Sequence, residues 1–467
     1  MASHCFNASV YHIGGVGAGP ILTAPDKCYN RPGKMTKIFA KSIATALLVI
    51  IALGRAAPAL ASAEGSTVTL TQCYQWALQR SEDLKSREED IEQARLRARG
   101  AMAGVYPSLA WEFVDIWQDP GGVNKLNAQG FGGFVQREQP EGRFALRQTI
   151  FSGFKEFSAL AGFKKEGERD TLRLQRARRE VFLRTAASFY NVLGRETEAA
   201  NTTEGLDLAQ DRVKELRGFR KLGKARESEL FTAQAHAAAL RAALRQSQAQ
   251  IASAREELSF LTGQDLTRRP LGDDLAEAAA PPPVENALAQ AQDRADVRAM
   301  RADAEAADRR IKYEKGAYLP SLDLLGKYYT RRATFLSAID WDVTLSLSVP
   351  LFQGGRVNAA VDRAKSAKRQ SELMLSELQR QIAYEVRRLH GDLTASVEEA
   401  QAQEESAQAA QKSYDALREE YKLGLVTNLD VLQALDLLLS QRGARDAARL
   451  DVKRLFIQLG VATETLP

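Results

Sequence analysis

Residues 341–355 read Trp341-Asp342-Val343-Thr344-Leu345-Ser346-Leu347-Ser348-Val349-Pro350-Leu351-Phe352-Gln353-Gly354-Gly355, and two structural periods meet there. Trp341, Val343, Leu345, Leu347, Val349 and Leu351 alternate with Asp342, Thr344, Ser346 and Ser348, giving a strand with one apolar and one small, polar face. That is the pattern of a membrane-barrel strand with lipid outside and water inside, and about ten residues suffice to cross when tilted. A half-buried strand of a soluble sheet would alternate in the same way, so the surrounding sequence must decide.

Downstream of Gly355 the period becomes helical. Leu375, Leu378, Ile382, Val386, Leu389 and Leu393 recur at steps of three and four, the narrow apolar seam of a coiled coil. The helix is expected to run from Gly355 to Glu420. At 1.5 Å per residue it is a rod of about 100 Å. Tyr421-Lys422-Leu423-Gly424 then marks a turn, and a shorter helix is expected over Asn428–Leu459.

The same order occurs earlier in the chain. Tyr106-Pro107-Ser108-Leu109 is answered by Leu319-Pro320-Ser321-Leu322, Phe151-Ser152-Gly153 by Phe352-Gln353-Gly354, and Lys221-Leu222-Gly223 by Lys422-Leu423-Gly424. Pro107 and Pro320 are 213 positions apart, whereas Gly223 and Gly424 are 201 apart; one deletion of 12 residues between Leu322 and Phe352 reconciles them. A duplicated unit of this kind needs its twin to complete a structure. The first repeat, 64–263, is expected to hold a helix over Thr69–Val105, a β-hairpin over 108–151, a long helix from Gly153 to about Phe219 and a helix over Arg226–Leu261. The second, 284–467, repeats the plan with a helix over Val284–Ala317 and a hairpin over 321–352. Residues 264–283, with Pro281-Pro282-Pro283, form the crossover linker. Phe144, Leu146, Gln148 and Ile150 occupy the place of the Trp341 strand less cleanly. The six glycines between Asp119 and Arg143 predict a long loop at the first hairpin tip, against a short second tip near Thr330–Asp340.

The amino terminus adds a compartment. Lys37 and Lys41 precede an apolar stretch from Ile43 to Gly54, and Ala59-Leu60-Ala61 or Ala61-Ser62-Ala63 offers small-residue cleavage sites. Residues 35–63 thus read as a secretory signal peptide within a leader of 1–63. The 34 residues before Met35 are expected to be an unstructured extension or the product of a misplaced start. The leader holds six basic residues and one acid, so the remaining chain carries 58 of each sign. A nucleic-acid partner loses its electrostatic support. Cys73 is the only cysteine left, which excludes an intramolecular disulfide and a thiolate metal cage. His236 and His390 each stand alone on a helical stretch, where packing or surface roles are commonest, and no catalytic, cofactor or metal set is visible.

Four strands cannot stand alone in a bilayer, because open edges leave backbone groups unpaired in hydrocarbon. Three copies would close twelve strands around a water-filled pore; a dimer of eight also closes.

The chain resembles the TolC-like family of outer-membrane efflux and secretion ducts from about Val68 to Gly460. The resemblance rests chiefly on residues 421–434, Tyr421-Lys422-Leu423-Gly424-Leu425-Val426-Thr427-Asn428-Leu429-Asp430-Val431-Leu432-Gln433-Ala434, and on the hairpin exit 349–355. It implies a mainly α fold with a small β part: a homotrimer whose 12-stranded outer-membrane β-barrel continues as a periplasmic α-helical barrel. It also implies docking to a periplasmic adaptor protein and an inner-membrane transporter. The turns at Gly223 and Gly424 are the only reversals at the end opposite the hairpins, so a constriction there must use them. Glu229 and Asp430 are equivalent under the 201 offset, and a trimer would bring six carboxylates towards one axis, attracting cations. The family's aperture acids fall at Glu229 and Asp430, with Ser228 at a neighbouring hydroxyl position and Tyr421 as an aromatic near the turn. Val426 stands where some members carry a basic residue, and Gln433 where a second acid can stand. Asp430 also fits a purely local role, since Thr427-Asn428-Leu429-Asp430 is a capping box. Gly223 and Gly424 are expected to supply positive φ at the helix ends.

Three functional classes follow. The first is a passive exit duct for efflux or type I secretion, gated at its periplasmic end and opened by partner docking. The second is a periplasmic coiled-coil adaptor or scaffold without a pore, which would need no lipid-facing strand. The third, an enzyme, would need a convergent polar site, whereas the carboxylates here are scattered along solvated helix faces.

Overall fold

The computed structural model describes residues 67–131, 136–275, 283–333 and 335–466. The expected signal peptide at 35–63 and residues 276–282 of the expected linker lie outside the described residues. In chain order the elements are α1 (Leu70–Arg80), α2 (Glu82–Ala103), β1 (Ser108–Trp117), a short α3 (Pro120–Leu126) running into a π-helical turn (Asn127–Phe131), β2 (Glu138–Phe151), α4 (Lys155–Lys221) and α5 (Glu227–Thr262). They continue as α6 (Val284–Ala291), α7 (Ala295–Lys315), β3 (Ser321–Arg331), β4 (Trp341–Ser348), α8 (Arg356–Lys422) and α9 (Asn428–Ala462). The fold is mainly α with one small antiparallel sheet. Both rods, α4 and α8, are 67 residues long, or roughly 100 Å.

Two of the expected helices are broken. The helix expected over Thr69–Val105 stops at Arg80 and restarts at Glu82, with the Ser81 hydroxyl accepting from the Leu84 N–H at 3.4 Å. The helix expected over Val284–Ala317 is broken at its equivalent, Arg294. That guanidinium is 3% exposed and meets Asp296 at 2.7 Å and Glu385 at 2.9 Å, while donating to the Ala462 carbonyl at 3.4 Å. The second break thereby pins the junction of α6 and α7 to α8 and to the end of α9. The first hairpin tip also differs from the long loop expected over Asp119–Arg143. Asp119 accepts from the N–H groups of Gly121 and Gly122 at 3.2 and 2.8 Å and, with Pro120 in the first turn, starts α3. Strand β2 then begins at Glu138.

The rods set the order of the layers. Near the sheet, α4 lies between α2 and α7, and α7 packs on α8; towards the far turns, α4 lies between α5 and α9, and α9 packs on α8. One lateral edge is therefore formed by α2 and α5, and the other by α8. Ile382, Val386, Leu389 and Leu393 of the expected seam are buried, with Leu375 and Leu378 packed against them. The largest core lies midway along the rods, where Tyr74, Phe182, Phe189, Tyr190, Leu258 and Ile457 close on one another. A parallel bridge there joins Val68 to Leu271, tying the start of the described chain to the segment after α5. At the junction with the sheet Gly153 adopts φ +73°, and a Cβ on it would lie 2.2 Å from the Gly316 carbonyl oxygen, so the repeats touch there through bare backbone.

The sheet order is β1-β2-β3-β4 throughout, which leaves the outer edges of β1 and β4 unpaired within the chain. Register assigns the faces. Trp111 pairs with Phe144 and Leu109 with Leu146; Leu322 pairs with Leu347, Leu324 with Leu345 and Tyr328 with Trp341. These fall on one side, and Trp111, Leu345 and Leu347 are 57%, 62% and 67% exposed. The other side is polar. Arg143 bonds Glu112 at 2.7 Å and Glu141 at 2.5 Å, Arg147 bonds Glu112 at 2.6 Å, and Tyr329 donates to Asp342 at 2.6 Å. Among the described residues no helix is long and apolar enough to cross a membrane. The sheet, by contrast, shows the two-faced chemistry of lipid outside and water within.

Leu347→Arg is expected to impair membrane assembly, since a cation on a lipid face at mid-depth costs about 2–4 kcal/mol. Ser346→Arg, on the polar side, should assemble. The check is urea-resistant insertion of each variant into vesicles; equal insertion would remove the sheet from the bilayer.

Candidate functional site: the paired turns at the rod ends

Each rod ends in the same backbone motif. After α4, the Lys224 N–H bonds the Phe219 carbonyl at 2.8 Å and the Gly223 N–H bonds the Arg220 carbonyl at 3.0 Å; after α8, Leu425 bonds Glu420 and Gly424 bonds Tyr421, both at 3.0 Å. This is the Schellman closure, which needs a left-handed residue at its pivot. Gly223 and Gly424 supply it with φ +69° and +76°. No atom lies within 4 Å of a Cβ at either position, so the backbone conformation alone demands glycine.

The chain then re-enters a helix in two different ways. At the second turn Thr427 caps α9: the Asp430 N–H donates to the Thr427 hydroxyl at 3.4 Å, and the Thr427 N–H and hydroxyl both donate to the Asp430 carboxylate at 2.7 Å. These bonds, the hydroxyl's first, hold the Asp430 carboxyl below its usual range. At the first turn Arg226 occupies the cap position and its side chain makes no capping bond, while Glu227 and Glu229 place acids in the first turn of α5.

Of the four side chains singled out from sequence, the structure brings together two. The Tyr421 hydroxyl, on α8, donates to the Glu229 carboxylate, on α5, at 3.0 Å. Burial, and then this acceptor, push the Tyr421 phenol above its ordinary value. Asp430 is engaged by Thr427 instead, and Ser228 lies exposed in the first turn of α5, its carbonyl accepting from Thr232 at 2.9 Å.

Four further residues complete the cluster. Arg212 of α4 is 2% exposed. Its guanidinium lies 3.7 Å from the centre of the Tyr421 ring, bonds the Asn428 side-chain oxygen at 2.9 Å and meets Glu215 at 3.2 Å. Glu215 also receives Arg418 of α8, while the buried Asn428 amide donates to the Glu229 carbonyl at 3.3 Å. One cation thus sits under an aromatic ring and beside a carboxylate, at the meeting point of α4, α5, α8 and α9. Around it close Leu216, Leu230, Ala233, Tyr414, Val431 and Leu435. The signal for Arg212 was faint but present. It falls in step with Leu206, Ala209, Val213 and Leu216, so a charge at that place on a buried seam implies partners.

A two-faced sheet open at both edges, mounted on paired rods with a polar cluster at their far ends, is the arrangement a membrane-channel protomer would need. Residues 287–463 match the family model described as outer membrane efflux protein. The outer membrane protein TolC of Escherichia coli (strain K12) is 22% identical over 417 residues, covering 84% of this chain and 82% of that protein. The outer membrane efflux protein BepC of Brucella suis is 23% identical over 321 residues, covering 66% of this chain and 68% of that protein. The fold is shared with VceC of Vibrio cholerae, with a TM-score of 0.70 and 20% identity over 84% of this chain and 95% of that one. It is also shared with CusC, with a TM-score of 0.73 and 18% identity over 84% of this chain and 91% of that one. Over residues 287–463 the chain thus resembles outer membrane efflux proteins, and along most of its length it is similar to TolC and shares the fold of these channels.

Thr427→Ala is expected to lower stability by about 0.5–2 kcal/mol, because it uncaps α9. The pH dependence follows from the lowered Asp430 value. Its contribution is full above the ordinary carboxylate range and disappears as pH falls through the depressed one. Melting curves of the wild type and Thr427→Ala should therefore differ most near neutrality and draw closer in acid, where only the Asp430 N–H bond to the Thr427 hydroxyl is left to lose. A gap of the same size in acid as at neutrality would show that the carboxylate takes no part in the cap.

Proposed function

We propose that the chain is one protomer of a homotrimeric exit duct that spans the outer membrane and reaches into the periplasm as the passive last stage of a tripartite efflux pump or type I secretion system. The observation that carries this reading is the sheet. Its exposed apolar face calls for lipid, and its open edges call for further strands, since an unpaired backbone group in hydrocarbon costs several kcal/mol. Edge β1 lies on the side of α2 and α5, and edge β4 on the side of α8. Sheet and rods can therefore close together when copies meet edge to edge. Three copies give twelve strands, a number that leaves an aqueous interior, and a wall of matching helical rods. Exposed Phe260 on α5 and Tyr384 on α8, 80% and 68% accessible in the single chain, belong to edges that such closure would cover. A pore-free periplasmic adaptor has no use for this sheet.

In this reading the turns form a periplasmic gate. Its residues are Ser228, Glu229, Tyr421 and Asp430, pivoted on Gly223 and Gly424, with Arg212 and Asn428 holding α5 and α9 together beneath them. To open, each protomer would have to separate Tyr421 from Glu229 while α5 and α9 swing outward. Docking of a periplasmic adaptor and an inner-membrane transporter would supply the differential contacts that favour the open arrangement. Transport through such a tube involves no catalytic set or cofactor.

Cross-linking of the detergent-purified protein should give a trimer, and a folded monomer would sink the duct. In planar bilayers, multivalent cations should block the wild type, and Glu229→Ala/Asp430→Ala should relieve that block. Unchanged block in the double variant would reduce Asp430 to a helix cap and Glu229 to a partner for Tyr421, leaving the duct standing.

A further inference from the structure

Midway along the rods, where the end of α9 meets the start of α7 through Arg294, the helices α4, α8 and α9 flank a cavity of about 410 Å³. Four arginines line it: Arg176 and Arg184 from α4, Arg388 from α8 and Arg454 from α9. Among the described residues the one carboxylate in its lining is Glu385, and that group already accepts from Arg294 at 2.9 Å. Leu183, Leu389, Ile457 and Val461 make the rest of the wall largely apolar.

The four cations are weakly compensated. Arg184 has no hydrogen-bond or ion-pair partner among the described residues. Arg388 and Arg454 pair with Asp392 at 3.0 Å and Asp451 at 3.1 Å, each on its own helix and outside the lining. Solvated pairs of that kind neutralise little. Arg176, 17% exposed, meets only Glu180, at 3.6 Å, and its Nη1 is closed off from water without an acceptor. A cation held in that way raises the potential of the space beside it.

The rods themselves do not call for these charges. Through the repeat offset of 201, Arg176 and Arg184 fall on Glu377 and Glu385, and Arg388 falls on Ala187. The twin rod carries acids where α4 carries cations, so packing of the rods accounts for neither arginine. Solvation explains an exposed arginine such as Arg184 taken alone, but not Arg176, whose Nη1 water does not reach.

We propose that this cavity binds a small organic anion, a carboxylate or sulfonate carried on a compact apolar body. The guanidinium fork meets either acid group with paired hydrogen bonds and also stacks on flat apolar surfaces. The volume is that of a small-molecule site. A membrane lipid is excluded as the occupant, because Arg184 lies nearly halfway down α4, about 44 Å from the sheet at 1.5 Å per residue. The site is complete within one protomer, so it goes beyond the duct reading and does not depend on how copies close. A bound anion ties α4, α8 and α9 together through Arg184, Arg388 and Arg454.

The test is equilibrium dialysis of the full-length protein in neutral detergent against 2-naphthalenesulfonate and its uncharged counterpart 2-naphthalenemethanol, with detergent alone as the blank. The sulfonate is expected to bind about tenfold more tightly at low salt and to raise the melting temperature as its concentration rises. Arg184→Gln/Arg388→Gln should remove both the preference and the thermal shift, with circular dichroism unchanged. Arg184→Gln alone, which breaks no contact within the protein, should already reduce the preference severalfold. Arg173→Gln, at an exposed cation of α4 outside the cavity, should keep both effects. Equal binding of the two probes, or a preference that survives in the double variant, overturns the proposal. Inorganic sulfate binding as tightly as the sulfonate overturns it too, in favour of a bare ion. Bilayer conductance reads the duct separately: a conducting channel without the preference loses only the anion site.

Discussion

Hydrocarbon offers no hydrogen bonds, and that constraint organises everything above the rods. Each strand of the β1-β2-β3-β4 sheet must alternate, because its neighbours in space are lipid on one side and water on the other. The outer edges of β1 and β4 cannot remain open in such a medium. The same demand explains why the sheet hides so little of its apolar surface within one chain. Leu347 and Trp341 are exposed here because their packing partner is a solvent of acyl chains.

Below the sheet, electrostatics replaces solvation as the specifying force. A guanidinium as buried as Arg212 is tolerated only when ring, amide and carboxylate all meet it, and they come from three different helices. Removing any one partner leaves an uncompensated charge, whereas the set together ties four helix ends into one arrangement. That combination fixes a single arrangement of the helix ends. The Tyr421–Glu229 bond is less buried than the cation beneath it. In the proposed gate, the bond could therefore break without unpacking the core.

Sequence reading succeeded where the environment forces a period and failed where a single contact decides. β4 was legible because every one of its residues faces either lipid or water. β2 was less so, since Gln148 sits on its apolar side; its amide is satisfied by the Val105 carbonyl at 2.5 Å, at the end of the strand nearest the helices. The breaks at Ser81 and Arg294 escaped a reading that looked for proline and glycine. Ser81-Glu82-Asp83 carries a helix-start signature, but Arg294 breaks its helix through tertiary ion pairs that no local pattern records. In the turns, the pivoting glycines and the capping box were visible as short-range motifs. Arg212 and Asn428 were not, because their partners lie 216 positions apart for that one bond.

The two rods have the same length, 67 residues each, and this restricts how such a chain can change over generations. One inserted residue turns everything beyond it by about 100° around the rod axis and carries the apolar seam off its neighbours. A full heptad restores the seam but lengthens one rod by about 10 Å, leaving one turn hanging below the other. Only matched insertions in α4 and α8, and in the shorter helices beside them, keep sheet and turns level. The hairpin tips carry no such linkage, and the 12-residue difference between the repeats falls there. Length in this architecture is therefore inherited in pairs along the rods and drifts freely only at the tips.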